Sequence, residues 1–283
     1  MRKIYDCFTF FNELDLLELR LEEHYDYVDY FVIAEASKSH QGFDKPFYLE
    51  NNWDRYAKYH DKIIYIKVED MPTGGSWTLE NHQRNALSRG LVDAAPNDVV
   101  VVSDCDELLR GSTFDLIRND TFRSMWICRQ PIFWLRLNYL QVNPAGYNVN
   151  SMAVVKSELI SPQDLRNKTW WAFTQVPMEH VDGTVRTIQH AGWHFSFLGD
   201  NEHVKHKLLN FAHTEARHHA ENLDIEQLIQ EKRSWDPGVQ FDSVVIDDYF
   251  PKTIINNLER WNKDIVPNAT TYLKDLLPLY GQT

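Results

Sequence analysis

The sequence predicts an α/β protein with a mostly parallel sheet flanked by helices, and two observations carry that expectation. Over the first hundred residues, short β-type runs alternate with helical patterns in the order βαβαβαβ, which calls for parallel strands joined by right-handed crossovers. The last of those strands, Val99 to Val102, is an unbroken β-branched run, as in a strand covered on both faces. It runs into Ser103-Asp104-Cys105-Asp106-Glu107, at the carboxyl edge where open α/β sheets bind ligands.

Lys3 to Phe11 reads as the first strand. Glu13 to His24 places Leu14, Leu17 and Leu21 on one stripe of an amphipathic helix. Tyr30 to Ala36 is a strand, Asn51 or Asn52 caps a helix through Tyr59, and Lys62 to Val68 is a strand. Thr78 caps a helix to about Ala94, ahead of the Val99 strand. Beyond Glu107 the pattern predicts a short helix over Thr113–Arg118, β-type segments over Arg123–Leu137 and Asn148–Lys156, and a strand over Thr187–Leu198. Ser157 to Asn167 is ambiguous. Helices are expected over 201–219, 225–235 and 253–262, with a strand at Val244–Ile246. We expect a catalytic domain over 1–220 and a mainly helical extension over 221–283.

The chain has 283 residues, 43% of them hydrophobic, which is enough for one sizeable core. Its net charge of −12 argues against nucleic acid or an anionic membrane as the main partner. An anionic ligand would therefore need a metal or a local basic cluster. Cys7, Cys105 and Cys128 are too few and too widely spaced for a disulfide framework or a zinc site. No apolar run has the length of a membrane span, and the amino terminus passes straight into a strand pattern, so a cytoplasmic protein is expected. The sequons at Asn119, Asn167 and Asn268 then read as chance. Three carboxylates at the end of a buried strand repel one another unless a cation or protons offset them. Hard oxygen ligands suit Mn²⁺ or Mg²⁺, which bind through one or two carboxylates plus substrate phosphates.

The runs Tyr5-Asp-Cys-Phe-Thr-Phe-Phe-Asn-Glu-Leu-Asp-Leu-Leu-Glu-Leu-Arg20, Val28-Asp-Tyr-Phe-Val-Ile-Ala-Glu35 and His40-Gln-Gly42 resemble glycosyltransferase family 17. So do His82-Gln-Arg-Asn85, Ser103-Asp-Cys-Asp-Glu107 and Ala191-Gly-Trp-His-Phe-Ser196. The resemblance implies a GT-A-type fold, a UDP-sugar donor (UDP-GlcNAc in the animal enzymes), a divalent metal, usually Mn²⁺, a glycan or glycoconjugate acceptor, and inversion at the anomeric carbon. The animal members carry a Golgi anchor and stem that this sequence does not show, so a glycan or glycolipid acceptor in the cytoplasm is expected.

The resemblance also suggests roles. Asp104 and Asp106 would hold the metal, with His194 as a further ligand or a structural imidazole. Donor contacts would come from Asn12, Glu35, Arg84, Asp104, Glu107 and Lys207. For Asn12 the alternative is a helix cap and for Glu107 an exposed turn; Arg84 would pair, buried, with Asp104 or with phosphate, or else form an exposed ion pair, and Lys207 is otherwise a solvated cation; Glu35 would read the uridine or ribose. Trp134, Trp170, Trp171 and Trp193 are candidate acceptor platforms, since aromatic faces pack on sugar C–H patches, or else core residues. An inverting transfer needs a general base. Glu179, Asp182, Asp200 and Glu202 are candidates by position alone. Two rivals remain open. One is a phosphatase of the haloacid-dehalogenase type, with Asp247-Asp248 as its second acidic pair. The other is a non-catalytic carbohydrate-binding protein.

Overall fold

The computed structural model describes residues 2–144, 146–176, 183–236 and 238–276. In chain order the first elements are β1 (Ile4–Phe10), α1 (Leu14–His24), β2 (Tyr30–Ala36), α2 (Tyr48–Asn51), β3 (Ile63–Val68), α3 (Ser76–Ala86), β4 (Val99–Asp104), β5 (Glu107–Leu109) and α4 (Gly111–Asn119). Then come β6 (Met125–Trp134), β7 (Tyr139–Asn143), β8 (Tyr147–Val155), α5 (Pro162–Asn167), α6 (Thr169–Gln175), β9 (Val185–Ile188), β10 (Gly192–Ser196) and α7 (Asn201–Asn210). The chain continues with α8 (Ile225–Gln230), β11 (Gln240–Ser243), α9 (Lys252–Ile255), α10 (Leu258–Trp261) and α11 (Leu273–Leu276).

Strands β3-β2-β1-β4 lie side by side and all run parallel, with Cys7 opposite Val32 on one side and Val102 on the other. The α/β class with a parallel sheet, read from the alternation, is therefore the class of this part of the fold. Beyond β4 the sheet becomes mixed: β8 is antiparallel to β4, and β6 is antiparallel to β8. β9 and β10 run parallel to β6, while β5 pairs antiparallel with β10. β11 pairs antiparallel with β7.

The pleat sorts the core. Ile4, Phe8 and Phe10 point to the side covered by Leu17 and Leu21 of α1 and by Phe114 of α4. Tyr5 and Cys7 point to the other side, with Val100, Val102, Leu87 and Met152. Successive strand side chains take opposite faces, so both faces of β1 and β4 must be apolar. A third cluster packs Leu16 and Leu19 of α1 against Trp193, Phe250 and Trp261. The three cysteines are buried and free.

Several boundaries differ from the sequence expectation. α3 is capped at Gly75 rather than Thr78 and ends at Ala86, passing into a 3₁₀ turn over Leu87–Gly90. The segment before β3 is a short helix followed by a 3₁₀ turn over Trp53–Tyr59. The 187–198 segment is two strands, β9 and β10, broken near His190, which has φ of 50°. α7 stops at Asn210 and the last strand lies at Gln240–Ser243. The helix expected over 253–262 is α9 and α10. No helix among the described residues is long and apolar enough to cross a membrane.

Candidate active site

Because β1 and β4 are parallel neighbours, with Thr9 opposite Asp104, their carboxyl ends open on the same edge. A cleft of about 260 Å³ lies there. Phe10, Phe11 and Glu13 line it from the end of β1, and Asp104 to Glu107 from the end of β4. Glu80, Gln83 and Arg84 reach it from α3, Arg166 from α5, His194 from β10, and Lys207 from α7.

Asp104 lies between two guanidinium groups, with Arg84 donating to Oδ1 at 3.1 Å and Arg166 to Oδ2 at 2.8 Å. Burial pushes its carboxyl up, but Arg166 and Arg84 outweigh that and hold it well below the usual carboxylate range. Arg84 is 3% exposed and also donates to Glu80 at 2.7 Å and to Gln163 at 2.7 Å. Asp106 accepts from Lys207 Nζ at 2.8 Å, and its other oxygen lies 3.7 Å from His194 Nε2. Burial again opposes ionisation; Lys207 overcomes it and keeps the carboxyl low. Lys207 is held protonated in turn: burial works against its charge, and Asp106 and Glu13 more than compensate. Glu107 is fully buried and accepts from Asn148 at 2.8 Å, Ser151 at 3.1 Å and the Asp104 backbone at 3.0 Å. It braces the turn from within.

The lining holds five carboxylates (Glu13, Glu80, Asp104, Asp106 and Glu107) and four basic side chains (Lys38, Arg84, Arg166 and Lys207). With neutral imidazoles, five minus four leaves about one negative charge, on a chain of −12. Arg84, Arg166 and Lys207 come from three different helices and are paired with these acids, so the lining gathers cations beside carboxylates without an excess of positive charge.

Of the donor residues named from sequence, Arg84, Asp104, Glu107 and Lys207 line this cleft, and so does His194. Asn12 is not in its lining and instead lines a separate cavity with Asp200 and His203; its Nδ2 lies 3.3 Å from His206 and its Oδ1 is buried without a partner. Glu35 lies outside the cleft. It is fully buried and accepts from the backbone of Tyr48 at 2.5 Å and Leu49 at 3.0 Å, from Lys45 at 2.8 Å and from Tyr65 at 2.7 Å. It anchors the start of α2.

Trp134 is packed against Trp235 and Phe241, and Trp193 is 2% exposed under Arg110. Trp170 (75% exposed) and Trp171 (39%) project from α6. Asp200 caps α7 by accepting from the His203 backbone, and Glu202 is exposed beside Lys205. Glu179 and Asp182 lie outside the described residues. Asp248 lines a separate cavity with Glu18 and Arg110. The second acidic pair of the phosphatase reading is therefore not brought to Asp104.

Sequence reasoning missed Arg166, Glu80, Glu13 and His40. The Glu80–Arg84 pair carried a signal, since residues four apart share a helix face. Arg166 carried none, because only the packing of α5 beside α3 and β4 brings it to Asp104.

Among the described residues, no three His, Cys, Asp or Glu side chains stand together as a metal-holding group. Asp106 and His194 are nevertheless of donor types that a divalent cation accepts. Asp106 Oδ1 and His194 Nε2 face each other, and His194 Nδ1 is buried without a partner. Each carboxylate oxygen held by Arg84, Arg166 or Lys207 retains a second lone pair.

Residues 1–129 match the model of glycosyltransferase family 17. The β-1,4-mannosyl-glycoprotein 4-β-N-acetylglucosaminyltransferases of rat and human are each 28% identical over 118 residues, covering 38% of this chain. The chain spans only 22% of the length of those relatives. Among solved structures, mouse xyloside xylosyltransferase 1 aligns with a TM-score of 0.35 and 10% identity over 66% of this chain and 84% of its own. A glycosyltransferase involved in glycosylation of the major capsid of PBCV-1 aligns at 0.32 and 12% over 77% and 98%. Scores this low add nothing to the sequence match. The segment that builds β1 to β5 and α4, with Arg84 and the acidic turn, is thus the part of the chain that is similar to glycosyltransferase family 17.

Proposed function

We infer that this chain is a metal-dependent, inverting glycosyltransferase that moves a sugar, GlcNAc by resemblance to its relatives, from a UDP-sugar to a glycan acceptor. The observation that carries the reading is the meeting of Asp104 and Asp106 with Arg84, Arg166 and Lys207 at the carboxyl edge of β4. Paired carboxylates with surplus lone pairs suit a cation, and cations clustered around them suit a diphosphate.

Asp104, Asp106 and His194 would hold Mn²⁺ or Mg²⁺, which when bound supplies Lewis-acid stabilisation of the departing diphosphate. Arg84, Arg166 and Lys207 would add fixed positive charge where negative charge grows as the bond from the anomeric carbon to the diphosphate breaks. UDP leaves with the bonding pair, the acceptor hydroxyl oxygen bonds to the opposite face of that carbon, and its proton passes to a general base. Among the positional candidates, Asp200 has an oxygen engaged in the cap of α7 and Glu202 faces solvent. Trp170 and Trp171 have exposed aromatic faces, but neither lines this cleft, and Trp171 lines a separate cavity with Met125 and Leu159.

The test is thermal stability against a panel of nucleotides and nucleotide sugars, with and without Mn²⁺. A ligand that binds only the native state raises the midpoint by mass action. A shift with UDP or UDP-GlcNAc that requires Mn²⁺ supports the assignment and selects the donor for an acceptor screen. No shift with any nucleotide, with or without metal, overturns it.

A further inference from the structure

The acidic turn is fastened from behind by a buried charge cluster that takes no part in the chemistry above. Arg20 of α1 is fully buried, and every N–H of its guanidinium is used. Nε donates to Asp6 Oδ2 at 2.9 Å. Nη2 donates to Asp6 Oδ1 at 2.5 Å and to Ser103 Oγ at 2.6 Å. Nη1 faces three carbonyl oxygens of the turn, Asp104 at 2.7 Å, Glu107 at 3.1 Å and Cys105 at 3.4 Å. The Phe8 ring lies 4.1 Å from the guanidinium.

His24, one helical turn further along α1, extends the cluster. Its Nδ1 lies 2.8 Å from Asp6 Oδ2, and its Nε2 accepts from the Leu109 backbone N–H at 3.1 Å. Nε2 must therefore carry the lone pair, and Nδ1 the proton that goes to Asp6. Residues four apart on α1 thus hold both ends of the 103–109 segment, and one aspartate on β1 orients them both.

We propose that Arg20, oriented by Asp6 and His24, is the positioning residue of the site: by gripping the carbonyls of Asp104, Cys105 and Glu107 it fixes the direction in which Asp104 and Asp106 present their carboxylates. The inference rests on the reading of the cleft as a UDP and divalent-cation site. Lysine cannot replace this group, because a point-charge ammonium cannot span a bidentate aspartate and several carbonyls. Ligand groups shifted by a fraction of an ångström lose productive geometry while the fold survives.

The experiment pairs calorimetric titration of UDP at saturating Mn²⁺ with hydrogen exchange of the Asp104 and Leu109 amides, on wild type, Arg20→Lys and Ser103→Ala, all well below each variant's melting temperature. Arg20→Lys should weaken UDP binding at least tenfold and speed exchange at those two amides, leaving exchange along the β2–β3 pair unchanged. Ser103→Ala removes one acceptor and should do the same to a smaller degree; it carries the test if Arg20→Lys does not fold. Wild-type UDP affinity or unchanged exchange at both amides in a folded variant overturns the proposal. If wild type itself binds no UDP, the donor-site reading fails instead, and the exchange data alone decide whether Arg20 positions the turn.

Discussion

Lys207→Met should change two affinities in opposite directions. Lys207 Nζ lies 2.8 Å from Asp106 Oδ2 and 3.8 Å from Glu13 Oε1, and its side chain is 17% exposed. A hydrogen bond to a charged group is worth ~1.5–3 kcal/mol net. Before any nucleotide binds, Lys207 therefore competes with a divalent cation for Asp106. Removing it should tighten binding of Mn²⁺ alone by roughly ten- to a hundredfold, at ~1.4 kcal/mol per decade. The same change removes a cation from the diphosphate, so UDP at saturating Mn²⁺ should bind about tenfold more weakly.

The substitution also leaves the buried Asp106 beside Asp104 without its principal counter-ion. Breaking a buried pair costs ~3–5 kcal/mol. Partial solvent access to this one suggests the low end, which in a chain of this size lowers the melting temperature by at least about 5 °C. Free-Mn²⁺ paramagnetic resonance reads the first affinity, calorimetry the second, and a thermal melt the third. Mn²⁺ affinity equal to or below that of wild type in the folded variant would show that Lys207 does not compete at Asp106. Unchanged UDP affinity would remove it from the donor site.

Gly192→Ala should be among the most damaging single-methyl changes, because a Cβ there would meet the Leu108 carbonyl and come within 2.7 Å of Leu109 Cα. Backbone cannot yield as a side chain does, so β10 must part from β5, with a loss of ~3 kcal/mol or more seen in the melt and weaker Mn²⁺ binding as His194 moves. Glu35→Gln should lower stability by ~1–3 kcal/mol, because a buried acceptor of four hydrogen bonds loses charge. It should leave UDP affinity unchanged; a matching loss of affinity would place Glu35 in the donor site after all. Acid should destabilise the fold through Asp6. Burial opposes its ionisation, but Arg20 and His24 hold its carboxyl below the ordinary value of about 3.9. A depressed carboxyl contributes stability that is present above the unfolded value and is lost as pH falls through the folded one. The melting temperature should therefore drop steadily below about pH 4, and the gap between wild type and Asp6→Asn should narrow over that range.

The parallel half of the sheet was legible because its signals are local. Apolar runs of strand length, alternating with a 3.6-residue stripe such as Leu14, Leu17 and Leu21, specify β1 to β4 without knowledge of their neighbours. Asp104 and Asp106 were legible for a similar reason, since acids closing a buried strand conflict with burial unless a cation meets them. Elements after β5 were read less well. α7 ends early because the residues after it are tied elsewhere: the Phe211 carbonyl accepts from Gln41 at 2.6 Å and the Ala212 carbonyl from Ser76 at 2.9 Å. No helical pattern records those distant bonds.

The sequence by itself determined the α/β class, the acidic edge and the likeness of the first 129 residues to glycosyltransferase family 17, because each depends on short-range order along the chain. Only the tertiary structure decided which side chains serve that edge. Glu35 and Asp104 both sit near the carboxyl end of a parallel strand, yet one turns to the amides of α2 and the other to Arg84 and Arg166. Trp193 and His194 are adjacent in sequence, and the pleat of β10 sends the indole into the core and the imidazole into the cleft. Arg166 and Lys207 reach Asp104 and Asp106 from 62 and 101 residues away in the chain. Side-chain direction and long-range approach are set by packing, and packing is a property of the folded chain rather than of any window of its sequence.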